Sequence, residues 1–235
     1  MKYPSFFLDT PKIKKSRTIA QKELSVADPF SFYTFRKFSI YLSMALVERT
    51  SITGNQISFL MVVFALVSAP ALVISNAAGI GYPICYFIIY FLDVVDGEVA
   101  RLRQQKSKLG KWLDILLWYL VDLYFILYCF YIFSESSYGL ICLYLVIVST
   151  LLERYLNYVD LSRETAAKRS SHTGDRSGLK TFLKYSFTKP GHFILSTLLI
   201  LSMPNIVSLH LFLIIIIWVS YQIYKVINTL RLVNE

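Results

Sequence analysis

The feature that most constrains this sequence is a series of apolar stretches, each long enough to cross a lipid bilayer. A membrane-spanning helix needs roughly 20 consecutive apolar residues. Of the 235 residues, 55% are hydrophobic and only 17% are charged, whereas a typical soluble domain has about 25% charged residues. These values exclude a disordered chain and disfavour a soluble enzyme. The sequence therefore predicts an all-α, polytopic membrane protein.

Six stretches are candidates for transmembrane helices. Their approximate bounds are Gln56–Ser75, Ile80–Leu102, Leu109–Phe133, Tyr138–Tyr158, Gly191–Met203 and Asn205–Leu230. The fifth is short within these bounds, so we expect it to start earlier, near Thr181. We therefore predict one membrane domain over residues 28–235, preceded by a polar, partly disordered extension over residues 1–27.

The basic residues predict the orientation of these helices. The 24 Lys and Arg residues lie before the first span, at or between the facing ends of the second and third, at or between the facing ends of the fourth and fifth, and near the end of the chain. The other connections, around Asn76, Ser134 and Pro204, contain none. Because cytoplasmic connections carry the excess of Lys and Arg, both termini are expected in the cytoplasm. Basic residues beside membrane spans also explain the net charge of +9 and disfavour a nucleic-acid partner.

A further helix is predicted ahead of the first span, over about residues 28–50. Asp28 is a suitable N-cap, and Pro29 suits the first helical turn. Apolar residues then recur at helical spacing, at Phe32, Phe35, Phe38, Leu42, Leu46 and Val47. With Arg36 and Lys37 between them, this pattern is typical of an amphipathic helix that lies on the membrane surface.

Acidic residues inside the predicted spans point to function. Asp93, Asp96, Glu98, Asp114 and Asp122 all lie in apolar runs. A charged side chain deep in a bilayer costs about 2.5–3.5 kcal/mol on insertion scales. Such a residue either belongs to a buried ion pair or faces a water-filled functional site. The number of acids near one membrane face favours a functional site.

Helical spacing selects three of these acids. Asp93 and Asp96 lie about 60° apart on one helix face, whereas Glu98 points further round and is expected to be an ion-pair partner or a surface residue. The second and third spans run antiparallel and are joined by a short linker. Asp114 is therefore expected to lie beside Asp93 and Asp96.

The chemistry of these side chains indicates a phosphate reaction. Three carboxylates without His or Cys suit Mg²⁺, Mn²⁺ or Ca²⁺ rather than Zn²⁺. Mg²⁺ usually shares its coordination shell with substrate phosphates, and Arg101 offers a planar fork that binds a phosphate. The residues alone therefore indicate a metal-assisted reaction on a phosphate or pyrophosphate. A proton- or cation-coupled transporter is the alternative from the charges.

The same residues carry a resemblance to a known family. The sequence DVVDGEVAR, followed after eight residues by Gly110 and after three more by Asp114, resembles the signature of the CDP-alcohol phosphotransferase family. The matching positions are Asp93, Asp96, Gly97, Ala100, Arg101, Gly110 and Asp114. Upstream, TSITGNQIS is similar to the family's T-P-N-x-I-T segment, with Gly54 in place of the usual Pro and Asn55 kept.

The resemblance implies a transferase with a CDP-linked donor bound on divalent metal ions, Mg²⁺ or Mn²⁺. An acceptor hydroxyl attacks the phosphorus distal to cytidine, and CMP leaves. The donor is CDP-diacylglycerol with a polar acceptor such as an inositol or glycerol phosphate, or a soluble CDP-alcohol with a lipid acceptor. The resemblance also implies a homodimer. It assigns the metal to Asp93, Asp96 and Asp114, and the nucleotide and metal site to Asp93, Asp96, Gly97, Ala100, Arg101 and Gly110.

One position departs from the signature. Its last Asp, thought to act as base and metal ligand, falls where this chain has Trp118. Asp122 follows one turn later, about 12 Å from Asp114 along the helix axis, which is too far to bind the same ion. Asp114 and, as a weaker candidate, Asp122 are the predicted catalytic residues. Either the enzyme uses one full metal site and another base, or its acceptor fits against the indole, or it binds CDP compounds without transfer.

Arg154 is a weaker candidate for the acceptor site. It lies near the cytoplasmic end of the fourth predicted span, in LLERYLNYVD. It either pairs with Glu153 or Asp160 or holds an acceptor phosphate. The basic segment over residues 161–188 is either a flexible linker or the lining of an entrance for an anionic substrate.

Overall fold

The structure is a computed structural model that describes residues 3–23, 29–75, 77–105, 107–134, 139–167 and, with gaps, 209–227. Every regular element in these residues is an α-helix, which confirms the predicted all-α class. The seven continuous helices among them are α1 Pro11–Ala20, α2 Pro29–Tyr33, α3 Phe35–Arg49, α4 Gly54–Ile74, α5 Ala78–Leu102, α6 Lys108–Phe133 and α7 Gly139–Ala167.

Three of the described helices, α4, α5 and α6, are long and apolar enough to cross a membrane. They correspond to the first three predicted spans. Shorter apolar helices cover Gly139–Leu152 and Leu209–Tyr224, within the fourth and sixth predicted spans. The fifth predicted span, Gly191–Met203, lies outside the described residues. The count of six spans therefore stays a prediction.

Local capping fixes where two of these spans begin. Thr53 and Gln56 form a reciprocal capping box at the start of α4, with hydrogen bonds of 3.3 and 2.8 Å between side chain and backbone. At the start of α6, the Ser107 hydroxyl accepts a hydrogen bond from the Gly110 amide at 2.9 Å. Because α4 and α6 both run antiparallel to α5, these two starts lie beside the carboxyl end of α5.

α4, α5 and α6 pack around a core that is rich in tyrosine. The largest fully buried side chains include Tyr82, Tyr86, Tyr124 and Tyr128. The Tyr82 hydroxyl donates to the Ala69 carbonyl at 3.2 Å, which satisfies a polar group where a bilayer offers no water. The outer faces expose large apolar side chains, among them Phe59, Leu66, Ile84, Phe87 and Leu116. Such a surface suits contact with lipid tails.

The N-terminal extension is folded over residues 3–23, so the expectation that it is partly disordered is wrong there. Thr10 caps α1 by accepting from the Ile13 amide at 3.3 Å, and Pro11 occupies the first helical turn. The Thr-Pro pair is a local signal for the start of a helix, which the expectation of partial disorder overlooked.

Arg17 anchors α1 to α3. The residue is 2% exposed and donates to the backbone carbonyls of Arg36 at 2.7 Å and Lys37 at 2.9 Å. It also forms a two-pronged ion pair with Asp9, with both distances at 2.8 Å. Burial alone would raise the pKa of Asp9, but hydrogen bonds from Arg17 and Tyr41 outweigh this effect and hold the pKa below its ordinary value.

The predicted surface helix differs from expectation in two ways. It is divided at Thr34 into α2 and α3, and its apolar residues do not share one face. Phe35 is buried, whereas Phe38 is 54% exposed. The face of α3 that packs on α1 and α5 is partly polar and includes Arg36, Ser39 and Ser43. Asp28, the predicted cap, lies outside the described residues.

Glu98 explains why that face is polar. The residue is 0% exposed, so the prediction of a surface position is wrong. Its carboxylate accepts hydrogen bonds from the Gln21 amide and the Ser39 hydroxyl at 2.7 Å and from the Ser43 hydroxyl at 2.8 Å. One buried carboxylate thereby connects α5 to α3 and to Gln21, the C-cap of α1.

Removing this carboxylate should destabilise the packing of α1 and α3 on α5. Glu98→Ala leaves buried donors without their acceptor, and each such group costs about 1–3 kcal/mol. We expect the free energy of unfolding in detergent to fall by at least about 2 kcal/mol, and amide exchange in α1 to accelerate.

Glu48→Ala is the matched control, because Glu48 pairs with Lys12 at 3.0 Å on the exposed surface. Exposed ion pairs contribute about 0–1 kcal/mol. Equal losses in the two variants would contradict the structural role of Glu98.

Candidate active site

Three aspartates from two helices meet where α5 ends and α6 begins. One carboxylate oxygen from each of Asp93, Asp96 and Asp114 lies within 4.8 Å of the others. Asp96 is buried, Asp93 is half-buried and Asp114 is exposed. We call these residues the aspartate cluster. The cluster is accessible from outside the helix bundle on the side of Asp114.

α4 supports the cluster from the opposite side. The Ser58 hydroxyl donates to Asp96 Oδ2 at 2.5 Å. The close approach of the two helices depends on Gly54, because a Cβ there would lie 2.8 Å from the Asp96 carbonyl oxygen and 3.0 Å from the Ala100 Cβ. A larger residue at either small position would push α4 away from α5.

A second glycine brings α4 against the start of α6. Asn55 and Ser107 are hydrogen bonded through both the amide nitrogen and the amide oxygen of Asn55, at 2.7 and 2.9 Å. A Cβ on Gly110 would lie 2.7 Å from the Asn55 Oδ1 atom. Gly110 thus leaves the room that this contact needs, one turn before Asp114.

The Arg101 side chain lies against α5, the helix that carries Asp93 and Asp96. Its two terminal nitrogens are 3.2 Å from the point where a Cβ on Gly97 would stand, so the glycine makes room for the guanidinium. The Arg101 Nε atom donates to the Ala20 carbonyl at the end of α1. The N-terminal extension therefore holds a residue of the signature in place.

An indole occupies the position of the signature's last acid. Trp118 is half-buried, and its ring meets that of Tyr90 edge-on with centroids 6.4 Å apart. A small cavity between α5 and α6 adjoins it, lined by Tyr86, Ile89, Tyr90, Asp93, Leu117, Trp118 and Val121. The walls of the cavity beside Asp93 are therefore largely apolar.

Asp122 and Arg154 form a pair with each other. The Arg154 guanidinium binds the Asp122 carboxylate and also donates to the Trp118 carbonyl at 2.9 Å. The side chains of Glu153 and Asp160, the partners suggested by the sequence, lie outside the described residues. Arg154 thus turns donors toward α6, and its role in binding an acceptor stays a prediction. Asp122, likewise, is held by Arg154 and does not join the aspartate cluster.

Sequence reasoning missed three contributors to the site. Ser58 has a sequence signal, since it follows Gly54 by one helical turn and shares its face. Ala20 and Gln21 have none, because their contacts with Arg101 and Glu98 join segments about 80 residues apart.

Residues 51–224 match the family described as CDP-alcohol phosphatidyltransferase. The matched range includes the aspartate cluster, Arg101 and the three helices that, among the described residues, are long enough to cross a membrane. The chain belongs to this family. Membership confirms the resemblance drawn from the signature, and with the three apolar helices it marks the chain as an integral membrane protein.

Two curated relatives share part of this sequence. The bifunctional IPC transferase and DIPP synthase of Aquifex aeolicus is 35% identical over 123 residues, which cover 51% of this chain and 28% of the relative. The protein of the same name from Thermococcus kodakarensis is 33% identical over 120 residues, which cover 49% and 26%. This chain thus matches less than a third of either relative.

The geometry makes a prediction about divalent cations. Asp93→Asn and Asp114→Asn should each weaken Mn²⁺ binding at least about tenfold, because even second-shell substitutions at metal sites cost 10–100-fold. Asp122→Asn is the matched control, since it changes a carboxylate of α6 that is bound to Arg154. Titration followed by electron paramagnetic resonance measures the three affinities. A similar loss in Asp122→Asn would contradict the assignment of the ligands.

Proposed function

We propose that this chain is a membrane transferase that moves a substituted phosphate group from a CDP-linked donor to an acceptor hydroxyl and releases CMP. The observation that carries the proposal is the meeting of Asp93, Asp96 and Asp114 inside the region matched by the family. The donor is CDP-diacylglycerol or another CDP-alcohol, and the reaction belongs to the synthesis of phospholipids or related phosphodiesters.

The aspartate cluster fits a hard divalent cation, Mg²⁺ or Mn²⁺. All its ligand atoms are carboxylate oxygens, and their separation of at most 4.8 Å lets them share one ion. A bound cation would offset the charge of the donor pyrophosphate and of the CMP leaving group.

The residues around the cluster would position the donor and the acceptor. Arg101, whose guanidinium lies over Gly97, would bind a phosphate of the donor through its guanidinium fork. Ala100 and Gly110 would act by letting α4 approach α5 and α6 closely. Asp114, the exposed member of the cluster, is the carboxylate most open to an acceptor.

In the proposed transfer step, Asp114 acts as the base. The acceptor oxygen forms a bond to the phosphorus distal to cytidine, the bond from that phosphorus to the CMP oxygen breaks, and the acceptor proton passes to Asp114. Correct positioning and fixed charges would supply most of the acceleration. In this proposal the enzyme functions without an acid at Trp118.

A second function is favoured by one observation. Trp118 stands where the signature has its last acid, and the nearby Asp122 is bound to Arg154. Both features suit a protein that binds CDP compounds without transferring the phosphate group. A cation-coupled transporter is the third candidate, and it would move substrate across a membrane without release of CMP.

We also propose six spans, with both termini and the site on the cytoplasmic side, and a homodimeric assembly. The orientation is supported by the basic residues Arg101, Arg103, Lys108 and Lys111, which flank the cluster where α5 ends and α6 begins. Residues 28–235 would form the membrane domain.

Metal-dependent release of CMP tests the proposal. Purified protein in lipid nanodiscs should release CMP from a CDP-linked donor when a suitable acceptor is present. Asp96→Ala should lower this rate at least about 100-fold, comparable to removal of one essential transition-state contact. Glu48→Ala, which removes an exposed carboxylate paired with Lys12, should retain the rate.

Trp118→Asp separates the first two candidates. Release by the native chain supports the transferase. Release only by Trp118→Asp would show that the native chain binds the nucleotide without catalysing transfer. Flux of the donor or acceptor into liposomes without any CMP release would instead support the transporter.

A further inference from the structure

We propose that Lys22, in the N-terminal extension, binds the pyrophosphate of the CDP-linked donor. This inference rests on the proposed function and deepens it. Residue 22 precedes the range 51–224 that matches the family, so the extension would add a substrate contact of this chain's own to the shared site.

Two contacts fix the chain immediately before Lys22 against the site. The Ala20 carbonyl accepts from Arg101, and the Gln21 amide donates to Glu98 at 2.7 Å and to the Arg36 carbonyl at 2.6 Å. Glu98 and Arg101 lie two and five residues beyond Asp96 on α5. The backbone next to Lys22 is thus held within about one to two helical turns of the cluster.

The Lys22 side chain is available to a ligand at this position. The residue is exposed, whereas Ala20 and Gln21 before it are buried. Among the described residues, no carboxylate forms an ion pair with Lys22, in contrast to the pairing of Lys12 with Glu48 at 3.0 Å.

The charges around Lys22 identify the cluster as its neighbour. Partial desolvation and then the positive charges of Arg101 and Arg36 lower the pKa of Lys22, while the negative charges of Asp93 and Asp114 act in the opposite direction. Lys22 is therefore within electrostatic range of two of the three aspartates. Arg101 and Lys22 thus both contribute positive charge near the cluster.

This arrangement of charges fits a pyrophosphate bound with a divalent cation. Three carboxylates suit the cation but repel the phosphates that must reach it. Positive groups beside the cluster reduce this repulsion and offer charge-assisted hydrogen bonds to phosphate oxygens. A lysine is suited to this position, because its ammonium is a compact charge on a flexible stem that adjusts to the ligand.

Calorimetric titration with CDP and with CMP, each in the presence of Mg²⁺, tests the inference. We expect Lys22→Ala to weaken CDP binding about tenfold, the loss typical of one charged hydrogen bond, and to weaken CMP binding less. Lys22→Arg should recover part of the CDP affinity. Lys14→Ala is the matched control, because Lys14 is an exposed lysine of α1 without a role in the site, and it should bind CDP like the native chain.

The outcomes distinguish this inference from the proposed function. Native protein that fails to bind CDP with Mg²⁺ would refute both. Native binding that Asp96→Ala abolishes but Lys22→Ala leaves unchanged would refute the inference alone. Tighter Mg²⁺ binding by Lys22→Ala without any loss for CDP would also refute it, since Lys22 would then only compete with the cation. Equal melting temperatures of the native chain and Lys22→Ala would exclude misfolding as a cause.

Discussion

The three carboxylates of the aspartate cluster repel one another, and the packing of the surrounding helices must overcome this repulsion. Asp93, Asp96 and Asp114 bring ligand oxygens within 4.8 Å of one another at the edge of an apolar bundle. Like charges at such distances repel by roughly a few kcal/mol even in a partly polar medium. The helices hold them together because small residues allow close packing: Gly54 lies against the Asp96 backbone, and Gly110 lies against Asn55. A divalent cation bound to the cluster would relieve this repulsion, which would strengthen its binding.

The N-terminal extension is part of the structure that supports the site. Glu98 lies on α5 beside the cluster, and its hydrogen bonds reach α3 and the end of α1. Arg101, one turn further on, is held by the Ala20 carbonyl. Movement of α1 would therefore displace both a buried carboxylate and a predicted phosphate-binding residue. The extension is thus part of the site's architecture, although it lies outside the family match.

The spacing of residues predicted the fold where the relevant contacts are local. Asp93 and Asp96 share a helix face, and a short linker forces Asp114 to return beside them, so periodicity and chain connectivity suffice. α1 also had a local signal, the capping pair of Thr10 and Pro11. The environment of Glu98 could not be predicted in this way, because its partners Gln21 and Ser39 come from segments 77 and 59 residues away.

The pair of Arg154 and Asp122 is another contact between distant segments, 32 residues apart. The partners that the sequence suggested, Glu153 and Asp160, have side chains outside the described residues. In an apolar bundle, a charged side chain that points inward pairs with a group on another helix. The tertiary packing decides which helix lies opposite. This pair also explains why Asp122 does not compensate for Trp118.

We propose that the aspartate cluster holds a divalent cation and that the donor pyrophosphate completes its coordination shell. Pulsed electron–nuclear double resonance on the native protein loaded with Mn²⁺ and CDP tests this proposal. The predicted result is a ³¹P coupling from phosphate oxygens bound to the protein-held Mn²⁺. Mn²⁺ that does not bind to the protein, or that binds without any ³¹P coupling when CDP is present, would contradict the claim.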